Sequence, residues 1–253
     1  MIDIHSHVIP GISDEPDCID ESLQLLESAL QNGINTVIAT PHHNRSNAND
    51  KHRVIYQVHR LQQAAKKQDL PINLLTGLEI CMYDTLLEDY KAGNLLTLAS
   101  SRYMLIEFPA AGVPLYAERI FYELEMLGIK PIIAHPERNA DFIKSPDKLY
   151  NLIQKGALAQ LTGSSLLGLL GRRIQVFSRK LINANLVHFI ATDAHNTRER
   201  PFNMREACKT ITSEHGSKLL DYFENNARMV IEDKAIYTHD AKQVVRKKIF
   251  GMF

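Results

Sequence analysis

Met1-Ile2-Asp3-Ile4-His5-Ser6-His7 opens the chain, and its reading decides how everything after it is read. Ile2 and Ile4 alternate with Asp3 and His5, which is the period of a strand. Two histidines two residues apart on extended chain project to the same side. His5 and His7 stand where the apolar run stops, at the C-terminal end of the strand, so their imidazoles can converge on one metal ion. In a chain with 11 histidines, a chance His-x-His pair is the competing account. The later strands decide between the two, because they also end in residues of ligand type.

Residues 34–40 form a β-branched run that reads as a buried strand and stops at Pro41-His42-His43. Residues 72–80 end near Glu79, residues 102–108 carry Glu107 close to their end, and residues 130–134 lead straight into His135-Pro136-Glu137-Arg138-Asn139. A-L-A-Q-L, from residue 157, ends in Thr162-Gly163-Ser164-Ser165, and residues 187–192 end in Asp193-Ala194-His195-Asn196. Helices are expected between these runs. The first starts at Asp17 as N-cap and closes at Gly33, and the second spans 50–68 before Pro71. Others cover 85–92, 113–127, 146–155 behind a Ser145 cap, and 172–184, with one or two more completing the chain. Strands alternating with helices imply a parallel sheet, and polar groups at the strand exits match the working face of a (β/α) barrel. The expectation is an α/β fold, an irregular seven-stranded TIM-like barrel. A doubly wound open sheet is the alternative, but it would gather its ligands at one crevice.

A chain of 253 residues suits one such barrel. Residues 1–240 are expected to form the catalytic domain and 241–253 a basic tail. Lys plus Arg equals Asp plus Glu, 29 against 29, which leaves no global positive field for nucleic acid. No apolar stretch approaches the roughly 20 residues that span a bilayer, and the first residues are too polar for a secretory signal. Cys18, Cys81 and Cys208 are scattered, as suits a reducing cytoplasm without disulfides. None begins a C-x5-R phosphate loop, since the residues six places on are Gln24, Leu87 and Glu214. The tail from Lys242 carries four cations beside Ile249, Phe250 and Phe253. It suits peripheral contact with an anionic membrane or an acidic partner, and equally a terminus folded back on its aromatics.

The exit residues are His5, His7, His42, Glu79, Glu107, His135, Asp193 and His195, with Asp14 in the loop after the first strand. Five histidines with two glutamates and one or two aspartates are too many for one ion. They suit two or three divalent ions with a bridging carboxylate, and imidazole mixed with hard oxygen favours manganese, iron or zinc over calcium.

I-D-I-H-S-H, T-P-H-H, the isolated Glu79, L-I-E-F, I-A-H-P-E-R-N and T-D-A-H-N resemble the polymerase-and-histidinol-phosphatase (PHP) superfamily. Within it, their order and spacing are similar to those of bacterial manganese-dependent protein-tyrosine phosphatases of capsule and exopolysaccharide gene clusters, over essentially the whole chain. The resemblance implies a PHP-type barrel with three ions. His5, His7, Glu79 and Asp193 would hold the first. Glu79 would bridge to a second, held also by Glu107 and His135, and Asp14, His42 and His195 would hold the third. It implies Mn2+, with iron, zinc, cobalt or magnesium as alternatives. One departure stands out: the family commonly has D-D-G after the first strand, where this chain has Ser13-Asp14-Glu15. Arg138, three residues past His135, and Arg200, just after the Asp193 motif, are the residues expected to grip the phosphate. For Arg138 the competing role is a salt bridge with Glu137 or a barrel acid. The resemblance further implies a substrate in the phosphotyrosine tail of a bacterial tyrosine kinase. The alternatives are a small-molecule phosphomonoesterase such as histidinol phosphatase, an amidohydrolase, and a metal-stabilised binding module. Amidohydrolases usually bridge their metals with a carboxylated lysine, whereas glutamates hold the bridging exits here.

Overall fold

The computed structural model describes residues 1–12, 16–44, 50–109 and 112–245, so Asp14 and the tail beyond Val245 lie outside the described residues. Within them the seven apolar runs carry nine strands. These are β1 (Ile2–Ser6), β2 (Thr36–Ala39), β3 (His42–His43), β4 (Asn73–Thr76), β5 (Glu79–Cys81), β6 (Tyr103–Glu107), β7 (Lys130–Ala134), β8 (Leu158–Thr162) and β9 (Phe189–Ala191). All pairings between them are parallel. They form a three-stranded sheet, β1-β2-β4, and a six-stranded sheet, β3-β5-β6-β7-β8-β9. The expected count of seven strands in one barrel is therefore corrected to nine strands in two sheets.

The extra strands arise because the second and third runs each leave one sheet and enter the other. Pro41 separates β2 from β3, and it has no N–H to continue a ladder. Its carbonyl instead accepts from Glu79 N at 3.1 Å, which starts β3 beside β5. Gly77 separates β4 from β5. A Cβ there would stand 2.9 Å from Leu98 Cδ2 and 3.0 Å from Ile38 Cγ2, so the backbone passes where a side chain has no room. The outer strands of the two sheets meet at a single parallel bridge, Ser6 to Ala194. There His7 N donates to Ala194 O at 2.7 Å and Asp193 N to His5 O at 2.9 Å.

Ten helices are described: α1 (Ile19–Gln31), α2 (Lys51–Lys67), α3 (Leu86–Lys91), α4 (Ala117–Met126), α5 (Ala140–Lys144), α6 (Pro146–Gln154), α7 (Gly163–Leu167), α8 (Arg172–Asn183), α9 (Met204–His215) and α10 (Ser217–Ile231). None is long and apolar enough to cross a membrane. Asp17 is not the cap of α1. Cys18 holds that position, and Asp17 N donates to Glu21 Oε2 at 3.0 Å, so the acid of the first turn does the capping work. Nor does Ser145 cap α6 through its side chain. α4 starts at Ala117 rather than Val113, after a turn in which Ala117 N donates to Pro114 O.

Consecutive strand residues go to opposite apolar layers, as a two-residue period requires. Leu105 and Ile132 join a smaller cluster, while their neighbours Ile106 and Ile133 join the larger cluster with helix residues such as Leu25 and Leu124. The smaller cluster draws on both sheets: Ile4 and Ile38 from one, Leu105, Ile132, Leu158 and Phe189 from the other. Burial on both faces explains why Met104-Leu105-Ile106 and Ile132-Ile133-Ala134 are continuously apolar, whereas β1 alternates.

Candidate metal centre

Parallel strands put their C-terminal ends at one side of the fold, and every described exit residue collects there. His42 and Glu79 are direct register partners across β3 and β5. His135 and Asp193 follow β7 and β9 with φ of +30° and +55°, a conformation rare for residues other than glycine. Such backbone costs about 1–3 kcal/mol per residue and clusters at functional sites. Here it turns both side chains toward the same centre. His135 also opens the 3-10 turn Pro136–Arg138, which carries Arg138 back over the site.

His5 Nε2, His7 Nε2, Glu79 Oε2 and Asp193 Oδ1 form the tightest group. His5 Nε2 stands 3.3 Å from His7 Nε2, from Glu79 Oε2 and from Asp193 Oδ1, and His7 Nε2 stands 3.3 Å from Glu79 Oε2 and 3.2 Å from Asp193 Oδ1. Each of the four residues offers a donor atom within 4.8 Å of the others, and imidazole nitrogen and carboxylate oxygen are the donor types that hold a divalent transition ion. Glu79 Oε2 and Asp193 Oδ1 are buried without an aligned hydrogen bond, although imidazole nitrogens crowd both. Electron pairs turned toward one another in this way fit a cation between them.

Glu79 is shared. Its Oε2 is 2.9 Å from His42 Nδ1 and its Oε1 is 2.7 Å from His135 Nε2. Glu107 lies 4.0 Å from His42 Nδ1 and 3.8 Å from His135 Nε2. His42, Glu79 and Glu107 form a second ligand-type group, and His7, His42 and His195 a third. The expected sets differ from these in detail: His42 accompanies the two glutamates, with His135 alongside, and His7 joins His42 and His195.

The electrostatics follow from placing carboxylates and imidazoles together out of water. Burial alone would lower His5, but the Glu79 and Asp193 carboxylates outweigh it and its pKa is raised. Burial alone would raise Glu79 and Asp193; the surrounding histidines, His5 foremost, hold both well below the usual carboxylate range. Glu107 is raised by burial and by the Glu79 charge. The carboxylate field that raises His5 is also the field that attracts a metal cation.

Arg138 and Arg200 both seat on Asp193 Oδ2, Arg138 through Nη1 and Arg200 through Nη2 at 2.7 Å. Arg138 thus pairs with an acid of the centre rather than with Glu137, and its partner's other oxygen faces His5 and His7. The two guanidiniums stand beside the ligand group, where they can meet an anion bound there.

Several supporting residues were not read from the sequence. Gln160 Oε1 accepts from His5 Nδ1 at 2.9 Å, which leaves Nε2 free to face the centre. His195 is fixed similarly, with Nδ1 donating to Asp193 O at 3.0 Å. Asp3 is buried and accepts from His5 N and Thr192 N, each at 3.2 Å, and from the Thr192 hydroxyl. Burial pushes its carboxyl up to about 6 in spite of these bonds. Gln160 was the sole polar residue in A-L-A-Q-L, and that was the available signal. His188, buried just before β9, accepts at Nδ1 from Ala159 N at 3.1 Å.

Parallel strands whose C-terminal ends collect a mixed histidine and carboxylate cluster define a metal-binding α/β protein of barrel-like kinship. More particularly, the chain belongs to the CpsB/CapC family of capsular polysaccharide synthesis, whose model matches residues 1–232. It is 40% identical over 254 residues to the tyrosine-protein phosphatase YwqE of Bacillus subtilis (strain 168), with 100% of each chain covered. The solved structures of YwqE from Bacillus subtilis and CpsB from Streptococcus pneumoniae, metal-dependent tyrosine phosphatases, include a chain similar to this one with a TM-score of 0.95 and 39% identity, covering 97% of this chain and 100% of that one. An amidohydrolase from Mycoplasma synoviae shares the fold alone, with a TM-score of 0.54 and 11% identity over 97% of this chain and 90% of its own.

Proposed function

We propose that this chain is a metal-dependent protein-tyrosine phosphatase that hydrolyses phosphotyrosine on a bacterial tyrosine kinase controlling capsule or exopolysaccharide synthesis. The observation that carries the reading is the convergence of His5, His7, Glu79 and Asp193 with two arginines seated on the same aspartate. The kinship with YwqE and CpsB supplies the substrate class. Manganese is the proposed metal, in a cluster of two or three ions shared among His5, His7, His42, Glu79, Glu107, His135, Asp193 and His195, with Asp14 completing the third position. The two sheets, joined at Ser6–Ala194 and enclosing one apolar layer, are proposed to be the irregular barrel of the PHP type.

Ions held by these residues would supply acidification of a water nucleophile and compensation of charge on the non-bridging phosphoryl oxygens. Arg138 and Arg200 bind and orient the phosphate with forked guanidiniums, so that water attacks phosphorus in line with the phenolic oxygen. A bond from water oxygen to phosphorus forms, the bond to the phenolic oxygen breaks, and tyrosine and inorganic phosphate are released. The phenol's pKa of about 10 makes it a tolerable leaving group without a strong general acid.

The test is phosphate release from a phosphotyrosine peptide and, separately, from histidinol phosphate. It uses metal-stripped protein re-supplied with manganese, magnesium, zinc or nothing. Metal-dependent hydrolysis of the peptide, abolished in His5→Ala and sharply reduced in Arg138→Ala, is expected. Full activity of the stripped protein refutes the metal mechanism, and turnover of histidinol phosphate alone refutes the protein substrate.

A further inference from the structure

The rim beside the two arginines carries apolar side chains that the fold holds out to water. α7 ends at Gly168, and Leu169 and Leu170 stand between Gly168 and Gly171, whose φ angles are +83° and +96°. The turn is fixed by hydrogen bonds. Leu169 N donates to Ser164 O at 3.0 Å, Gly171 N to Gly168 O at 3.0 Å, and Gln175 Nε2 to Leu166 O at 3.2 Å. The φ of +83° is what favours glycine at 168, since a Cβ there would meet only the movable end of Gln175. The result leaves Leu169 64% and Leu170 41% exposed, whereas Leu166 in the same segment is fully buried. Leu166 is packing, as an apolar residue after a strand ordinarily is, but its two neighbours are displayed.

Single exposed leucines are common on protein surfaces. These two differ because they share a groove of about 350 Å³ with Arg138, Arg200 and Ile174. The groove thus brings the cationic edge of the metal centre and these apolar side chains into one lining, together with Thr162, Ser164 and Thr192. Glu199 also lines it and is exposed, which disfavours an acidic occupant. A chain whose phosphoryl group is held by the arginines has this groove beside it. An apolar side chain next to the phosphotyrosine then covers surface that the free protein leaves in water.

We infer that Leu169, Leu170 and Ile174 form a subsite for an apolar side chain flanking the phosphotyrosine of a peptide substrate. The inference rests on the phosphatase reading above and adds a sequence preference to it.

The experiment compares kcat/KM of the metal-loaded full chain on two phosphotyrosine hexapeptides, one with leucine and one with serine on each side of the phosphotyrosine. Wild type and Leu169→Ser/Leu170→Ser are assayed together. Both leucines are exposed, so the double substitution alters the fold little. Wild type is expected to favour the leucine peptide about tenfold, the discrimination one apolar contact commonly supplies, and the variant to lose that preference. Equal turnover of the two peptides by wild type overturns the subsite. So does an equal fall on both peptides in the variant, since that would put the leucines against the phosphotyrosine itself. Absence of turnover on either peptide, in the presence of metal, instead overturns the phosphatase reading and the subsite with it.

Discussion

Replacing Gln160 by leucine separates metal affinity from fold stability. Gln160 is buried; its Oε1 accepts from His5 Nδ1 at 2.9 Å, and its Nε2 is buried without a partner. Leucine of similar volume removes the acceptor and strands the His5 N–H, a loss of about 1–3 kcal/mol. It also removes the unpartnered amide donor, whose burial carries a penalty of the same order. The metal-free protein should therefore unfold within about 1 kcal/mol of wild type, because the two terms oppose. Metal affinity has no such compensation. His5 loses the group that fixes its ring with Nε2 toward the centre, and comparable outer partners of metal-ligating histidines are worth about 10–100-fold in affinity. Calorimetric titration of stripped protein with Mn2+ measures the affinity, and urea unfolding of the same preparation measures the stability. Unchanged affinity together with a large loss of stability would refute the positioning role and make Gln160 a packing residue.

Three further outcomes follow from particular contacts. Burial, and secondarily His239, lowers His188 from its ordinary 6.5 to about 4, so the folded state binds fewer protons than the unfolded state between those values. Stability is thus lost as pH falls from 6.5 toward 4, by about 3 kcal/mol from this residue. His188→Gln should flatten that part of the urea-midpoint profile relative to wild type. Gly77→Ala puts a methyl group 2.9 Å from Leu98 and 3.0 Å from Ile38 and should destabilise by about 1–3 kcal/mol in equilibrium unfolding. Glu79→Gln should cut metal-dependent turnover more than Glu107→Gln, since Glu79 faces four histidines, His5, His7, His42 and His135, and Glu107 only two, His42 and His135; steady-state rates at saturating metal compare the two variants.

The described strand-exit donors were legible because one rule governs them all: in a parallel sheet, a ligand-type residue just past an apolar run faces the same side as its counterparts. His5, His42, Glu79, Glu107, His135 and Asp193 each obey it, and they meet. The outer partners were not legible because polarity inside a strand has two readings. Asp3 alternates with Ile2 and Ile4 as a solvent-facing residue would, yet it is buried beneath the Thr192 backbone. The division into two sheets was hidden for a related reason. Pro41 is visible as a break, but Gly77 sits in the middle of the run 72–80, where a glycine alone does not announce a change of sheet, and its crowding by Leu98 and Ile38 is a tertiary fact. Asp17 was misplaced by one residue because Glu21 reaches back to the preceding N–H, a competition between two acids that position alone does not decide.

The group of His5, His7, Glu79 and Asp193 also straddles the division between the sheets. His5 and His7 belong to the end of β1 in the three-stranded sheet, whereas Glu79 lies in β5 and Asp193 follows β9, both of the six-stranded sheet. An ion gripped by all four is a clasp across a junction whose backbone pairing is one bridge and two flanking hydrogen bonds. Catalytic metal and structural staple are then the same atom. Ligand linkage sets the size of the effect: free metal at 100 times its dissociation constant adds about 2.7 kcal/mol to the folded state. Metal starvation would loosen the junction as it silences the chemistry, and amide protons around Asp193 and His7 would exchange ahead of those in β6 and β7.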